Sequence, residues 1–477
     1  MFSVKPIDMA PLTAWLPAHP HQDFDLVIKI MGPLSSKFMR DWSLIAQSFT
    51  MKGLSIITQS GRVCGAFSDP QLHIRITDRP VYSMGYGCDV FVQLSQTVAD
   101  SWSLGLHLQP GSVLLYEPDP VRRWHVCLPE GVISYPVALK DLCLQDEEGL
   151  QGRALAALGV LLHLLGVPEE SLLQLAPTLS APKTFTAGVV FARSNIEKRD
   201  AYSLPFVRTE TRPAIMLSSE QAILLGYAVS SCDCGSSCDA KLVASPVEWT
   251  ADHLGLARSM VSVLESDEHP GLQAYRGPQG KVMALLRGND SAIASWLKGF
   301  QSPAVFVAAD IADVLSFLLA GEDLIQTGRS DGVEVLIQDD IAFQYQTIEV
   351  RFLIDMLRRH HRAIGRAERD GDADADVGFM AWGAAQGVVR DAVALCRSFG
   401  LRVAGLYPKR IVPFSNEDME SFAKSVGRVV VVESGQTQGY WDRLLPNLSF
   451  EFSVLTPEPS QSLTPMDIFL RERLGSA

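Results

Sequence analysis

Positive charge is scarce in this chain: 41 lysines and arginines stand against 54 aspartates and glutamates, a net charge of −13 over 477 residues. That balance argues against nucleic acid or anionic membrane as a partner, because phosphate binding needs concentrated Lys and Arg. Long hydrophobic runs are missing too, and none reaches the ~18 apolar residues that a membrane-crossing helix requires. The nearest, residues 154–167, carries Gly159 and His163 and stops at Pro168, so it reads as a buried helix. The N-terminus lacks a basic region followed by an apolar stretch, so no secretion signal is expected. Eight cysteines without regular framing do not make a disulfide scaffold and point to reduced thiols in a cytoplasm. Repeats are absent, as are local Ser-His-Asp and HExxH arrangements. The expectation is a cytoplasmic, multidomain chain with no membrane and no nucleic acid among its partners.

Apolar residues make up 47% of the chain, enough for several cores, and the length suggests about three domains. Residues 25–32 read as a strand meeting a glycine turn, and residues 35–50 as a helix. Residues 90–94 and 111–116 are short, apolar and β-rich, as buried parallel strands tend to be. A helix over 152–167 closes this α/β region. Residues 182–212 are polar, contain prolines and read as an inter-domain connection; the charged stretch 367–376 reads as a second. Beyond it, residues 377–383 form an apolar strand with a glycine turn, followed by an amphipathic helix and further strands, including residues 428–432. That alternation is the grammar of a parallel sheet covered by helices.

Local chemistry is sparse. Cys232, Cys234 and Cys238 place three thiols on a Gly/Ser loop, where they would hold zinc or three corners of an iron–sulfur cluster. The alternative is a small-residue loop in which cysteine is a compact apolar filler. His360 and His361 fall at the end of an amphipathic run, where a basic helix end is favoured by the macrodipole. Lys29 and Arg75 read as half-exposed sheet residues.

The segments 377–383, 387–392, 405–414 and 428–439, closing with 463–468, resemble in order and spacing the C-terminal transketolase-like domain of the α subunit of 2-oxoacid:ferredoxin oxidoreductases. Segments 61–65, 73–80, 88–92 and 108–114 are similar to the γ domain of the same enzymes, which is often fused ahead of the α region. The family's glycine-rich opening turn is reduced to residues 31–36, where Pro33 removes a backbone donor from a place that would cradle phosphate. In the middle, residues 217–226 resemble the family's Gly-Asn-Glu helix, with Ser219, Glu220 and Gln221 in that place. Residues 243–249 keep a hydroxyl–proline pair, Ser245-Pro246, from its Tyr-Pro-Ile-Thr-Pro-Ser signature, and residues 265–270 and 276–280 stand for a longer small-residue region.

The resemblance implies an α/β fold of three domains with mainly parallel sheets: a γ-like domain over 1–181, a linker over 182–212, a degenerate thiamine pyrimidine-type domain over 213–366, a linker over 367–376 and a transketolase C-terminal-like domain over 377–477. It implies a γ/α fused subunit that converts a 2-oxoacid and coenzyme A to acyl-CoA, carbon dioxide and reduced ferredoxin. Thiamine diphosphate with Mg would be shared with or held by a partner β subunit, which would also carry an iron–sulfur cluster, in a hetero-oligomer. The matching positions make Glu268 the cofactor-activating carboxylate and Ser245 a residue of the substrate pocket, with Glu220, Gln221 and Gly277 on the cofactor-binding segments. Gly383 and Gly387 would flank a strand-to-helix turn, and residues 434–439 would shape a turn or a subunit contact. The alternative implied by the shortened motifs is a catalytically silent structural or regulatory subunit of such a complex.

Overall fold

The structure is a computed structural model, and it describes residues 24–32, 34–50, 52–62, 70–94, 108–118, 128–143, 149–205, 214–218, 262–265, 272–276, 282–286, 345–349, 367–381, 384–408, 416–433, 449–457 and 463–475. Among these the chain is α/β, with helices layered on sheets. The first unit contains β1 (Asp25–Met31), α1 (Ser36–Thr50), β2 (Ser55–Arg62), β3 (Pro70–Thr77), β4 (Val90–Gln93), β5 (Val113–Tyr116), β6 (Ile133–Pro136), α2 (Leu139–Leu142), α3 (Gly149–Leu164), α4 (Glu169–Leu175) and α5 (Pro182–Asn195). Two later strands, β7 (Ala214–Ser218) and β11 (Tyr345–Glu349), extend its sheet to the order β6-β5-β4-β1-β3-β2-β11-β7. Three more, β8 (Ser262–Glu265), β9 (Leu272–Arg276) and β10 (Val282–Leu286), form an antiparallel meander of their own.

Strands β1, β4, β5 and β6 run parallel, whereas β3 and β2 return antiparallel on the other side of β1. Alternation along β1 sends Leu26, Ile28 and Ile30 to one face, where they meet Phe38, Trp42, Ile45 and Phe49 of α1 and the leucines of α3. The opposite face carries Val27, Lys29 and Met31, and Met31 joins Cys88, Phe91, Leu108 and Leu114 in a second, smaller cluster. The apolar run 154–167 is the buried helix that its composition suggests: α3 is apolar on nearly every side because it is covered by both α1 and α5. Among the described residues no helix is long and apolar enough to cross a membrane.

The stretch 182–212, expected as a connection, opens instead with α5, whose Phe185, Val189 and Ala192 are buried against α3. Pro182 at the first turn starts this helix rather than breaking it, since the missing N–H is unpaired there anyway. The two helices meet at glycines: a Cβ on Gly188 would lie 2.2 Å from the carbonyl oxygen of Ala156, so only glycine admits the crossing.

The C-terminal unit contains β12 (Glu368–Gly371), β13 (Val377–Ala381), α6 (Ala384–Ser398), β14 (Val403–Tyr407), α7 (Asn416–Lys424), β15 (Arg428–Val432), β16 (Phe452–Leu455) and α8 (Pro465–Gly475). Its sheet runs β12-β14-β13-β15-β16, parallel except for the edge strand β12. Helices α6 and α8 cover one face and α7 the other, which is why β13 and β14 are buried along their whole length. The charged segment 367–376, expected as a linker, supplies that edge strand: its polar residues suit a strand paired on one side only.

Candidate functional site

Two places concentrate polar groups that the core would otherwise exclude. The first is the C-terminal edge of the parallel strands. From β1 the chain crosses through α1 to β2 on one side, while β4, β5 and β6 extend the other way. Points where strand connections diverge in this manner are the usual place of the ligand crevice in open α/β sheets. Here Gly32 ends β1 with a φ of 144°, and Leu94 N–H donates to the Met31 carbonyl at 2.8 Å, marking the last rung. Ser35 Oγ accepts from Phe38 N–H at 3.2 Å and so caps α1, whose first turn holds no acidic residue.

On the neighbouring strand, Gln93 is only 6% exposed and its Nε2 has no hydrogen-bond partner among the described residues. One strand further, Glu117 takes a hydrogen bond from Lys140 N–H at 2.8 Å, and its Oε2 lies 3.2 Å from Arg153 Nη1 without aligned hydrogen-bond geometry. The edge therefore combines a capped helix start, an unpaired amide donor and an ion-paired carboxylate.

The opposite end of the same strands is closed. Asp89 accepts from Val27 N–H at 2.7 Å and from the Tyr202 hydroxyl at 3.3 Å. Tyr135 donates to Asp200 at 2.8 Å while its oxygen accepts from Arg199 N–H at 2.7 Å. These bonds pin the segment after α5 across the strand starts. Between the two ends, burial lowers the Lys29 ammonium from its ordinary value, and burial pushes the nearby Cys88 thiol up to about 12.

The second place joins the two units, and it corrects the expectation for Arg75. That residue is not half-exposed but 6% exposed. Its Nε and Nη2 reach both oxygens of Asp25 at 2.9 and 2.7 Å, and its Nη1 reaches Asp391 of α6 at 2.7 Å and the Ser83 carbonyl at 3.0 Å. Burial alone would weaken the guanidinium's hold on its proton, but the two carboxylates more than offset it and keep the group charged.

Asp391 also accepts from Ser83 N–H at 3.0 Å and Ser83 Oγ at 2.5 Å. Beside it, the Arg390 guanidinium lies 5.3 Å from the Tyr82 ring and 4.1 Å from the Tyr407 ring, a cation between two aromatic faces. Gly387 does not flank the strand-to-helix turn; it lies inside α6, where a Cβ would stand 1.9 Å from the Tyr82 carbonyl.

The residues that the sequence singles out for chemistry, Glu220, Gln221, Ser245, Glu268, Gly277, Cys232, Cys234 and Cys238, lie outside the described residues, as do His360, His361, Gly383 and residues 434–439. Among the described residues no group of three or more His, Cys, Asp or Glu could hold a metal ion. Gln93 escaped the sequence reading because it ends an apolar strand like any other residue. Arg75 escaped it because its second carboxylate is 316 residues away.

Comparison with known proteins yields no matching family model and no matching curated protein. Among solved structures, 2-oxoglutarate:ferredoxin oxidoreductase from Magnetococcus marinus, with 2-oxoglutarate, coenzyme A and succinyl-CoA bound, aligns over 94% of this chain and 99% of its own. The identity is 17% and the TM-score 0.66. The γ subunit of a keto/oxoacid ferredoxin oxidoreductase from Geobacter sulfurreducens aligns with 35% of this chain and 99% of its own, at 19% identity and a TM-score of 0.28. A pyruvate oxidoreductase subunit from Thermotoga maritima aligns with 34% of this chain and 90% of its own, at 18% identity and a TM-score of 0.27. The chain has the multidomain α/β fold of a 2-oxoacid:ferredoxin oxidoreductase subunit.

Proposed function

We propose that this chain is a fused γ/α subunit of a 2-oxoacid:acceptor oxidoreductase, working with a thiamine-binding, iron–sulfur β subunit and passing electrons to ferredoxin or a similar acceptor. The observation that carries the reading is the fold, shared over nearly the full length with a 2-oxoglutarate:ferredoxin oxidoreductase. Residue order supports it: the γ-like unit comes first, the transketolase-like unit last, and the pyrimidine-type region stands between them.

In this reading coenzyme A approaches the strand-end crevice at Gly32 and Gln93, where N–H groups at the start of α1 attract phosphate. The junction of Arg75 with Asp391 holds the γ-like and C-terminal units in one geometry, so that the crevice and the partner's cofactor keep a fixed separation. Thiamine diphosphate, bound with the partner, supplies the decarboxylation chemistry. Glu268 is the carboxylate proposed to face it, and Ser245 the hydroxyl proposed to line the 2-oxoacid pocket. A silent subunit is the second reading. It is favoured by Pro33 in the opening turn and by Ser35, which already occupies one of the amides that a phosphate would need.

Turnover separates the two. The complex should reduce a viologen dye in a manner dependent on 2-oxoacid and coenzyme A, and Glu268→Gln should abolish this without loosening assembly. An intact complex that shows no dye reduction with any 2-oxoacid would favour the silent subunit.

A further inference from the structure

Gln93 is a buried polar group whose amide nitrogen finds no partner among the described residues. Its register partners across the sheet are Met31 on β1 and Tyr116 on β5, so its side chain leaves the last rung of the parallel ladder. Alternation puts it on the same face as Phe91, within the cluster formed with Met31, Leu114 and Leu108. A buried donor among apolar side chains is expected to be paired, because desolvation without a hydrogen bond is costly. Among the described residues the Nε2 of Gln93 is not paired. It also sits beside Gly32, which opens the turn between β1 and α1, at the point where strand connections diverge.

We propose that Gln93 is a specificity-determining residue that donates its amide hydrogen to a neutral carbonyl of the bound ligand. The apolar wall selects that class of acceptor. A phosphate oxygen placed against Met31, Phe91 and Leu114 would exchange its hydration for Lys29 alone, the cation on that face, whose charge burial already disfavours, whereas an amide carbonyl flanked by apolar groups needs one donor and an apolar surface. The pantetheine arm of coenzyme A carries amide carbonyls between short apolar stretches, including a gem-dimethyl group. This inference rests on the coenzyme A reading above and assigns the crevice end at Gln93 to the arm rather than to the nucleotide.

Calorimetric titration of the full-length protein with coenzyme A, pantetheine and 3′,5′-ADP tests it, using Gln93→Met as an unbranched side chain without a donor. Coenzyme A and pantetheine should bind the variant about three- to tenfold more weakly, the loss of one neutral hydrogen bond, with 3′,5′-ADP unaffected. The unliganded variant should melt at the same temperature or higher, because an unsatisfied donor has gone. Equal coenzyme A affinity in both proteins would overturn the role of Gln93 and leave the coenzyme A reading standing. A lower melting temperature, or failure to fold, would mean that the amide serves the fold, and would overturn it as well. Wild-type protein that binds neither coenzyme A nor pantetheine would remove the underlying reading.

Discussion

Arg75 Nη1 and Asp391 Oδ2 lie 2.7 Å apart, although 316 residues of chain separate them. This ion pair fastens β3 of the first unit to α6 of the last, with Asp25 gripping the other edge of the same guanidinium. Planar, five-donor arginine suits a site where two carboxylates and a carbonyl must be served at once. Asp391→Ala should therefore remove more than one bond, because Ser83 loses its acceptor too. The expected cost is about 2–4 kcal/mol in urea unfolding of the full chain, at the low end for a buried pair because both side chains keep some exposure. A loss under about 0.5 kcal/mol, typical of a surface pair, would show the junction to be incidental.

Gly387→Ala probes the same junction without touching charge. The added methyl would sit 1.9 Å from the Tyr82 carbonyl, so α6 must move away from residues 82–83. The variant should lose stability comparable to Asp391→Ala, and the double variant should lose clearly less than the sum, since each opens the same contact. Strict additivity in a double-mutant cycle would mean that the two residues act independently.

The thiols of Cys88 and Cys396 are both buried, and burial pushes each up to about 12. The unfolded thiol ionises near ~8.5, so the native state holds protons that the unfolded state has already released. Stability from these groups is fully present below about pH 8.5 and falls as pH rises toward 12, by about 1.4 kcal/mol per unit for each thiol. Cys396→Ala should flatten the alkaline limb of the stability curve while lowering its neutral plateau. Mass-mapped alkylation at neutral pH should label Cys143, which is half-buried, well before Cys88 or Cys396. Early labelling of Cys88 would contradict its placement in the sheet.

Much of the scaffold could be read from residues alone. The apolar strands β1, β4, β13 and β15 and the helix α1 declare themselves by period and by glycine turns, because local sequence and burial agree there. The helix α5 did not. Pro182 and the charged residues that follow suggest a connection, yet its small residues are what allow Gly188 to touch α3. Strand β12 was hidden by charge, which an edge strand tolerates. The junction was illegible for a different reason: nothing in the neighbourhood of Arg75 announces a carboxylate supplied from the far end of the chain. Gln93 carries no local signal at all, since an unpaired amide is a property of three-dimensional surroundings. The chemistry expected at Glu268 and Ser245 rests on resemblance to a family, not on geometry.

The central claim is that this polypeptide supplies one part of a thiamine-dependent centre that a second chain completes. Affinity purification of the tagged protein from its native host, with the eluate assayed for thiamine diphosphate and resolved by native mass spectrometry, tests it most directly. The account predicts a hetero-oligomer in which a second chain and the cofactor accompany this one in fixed ratio. Recovery of this chain alone, free of thiamine diphosphate and of any stable companion, would contradict it.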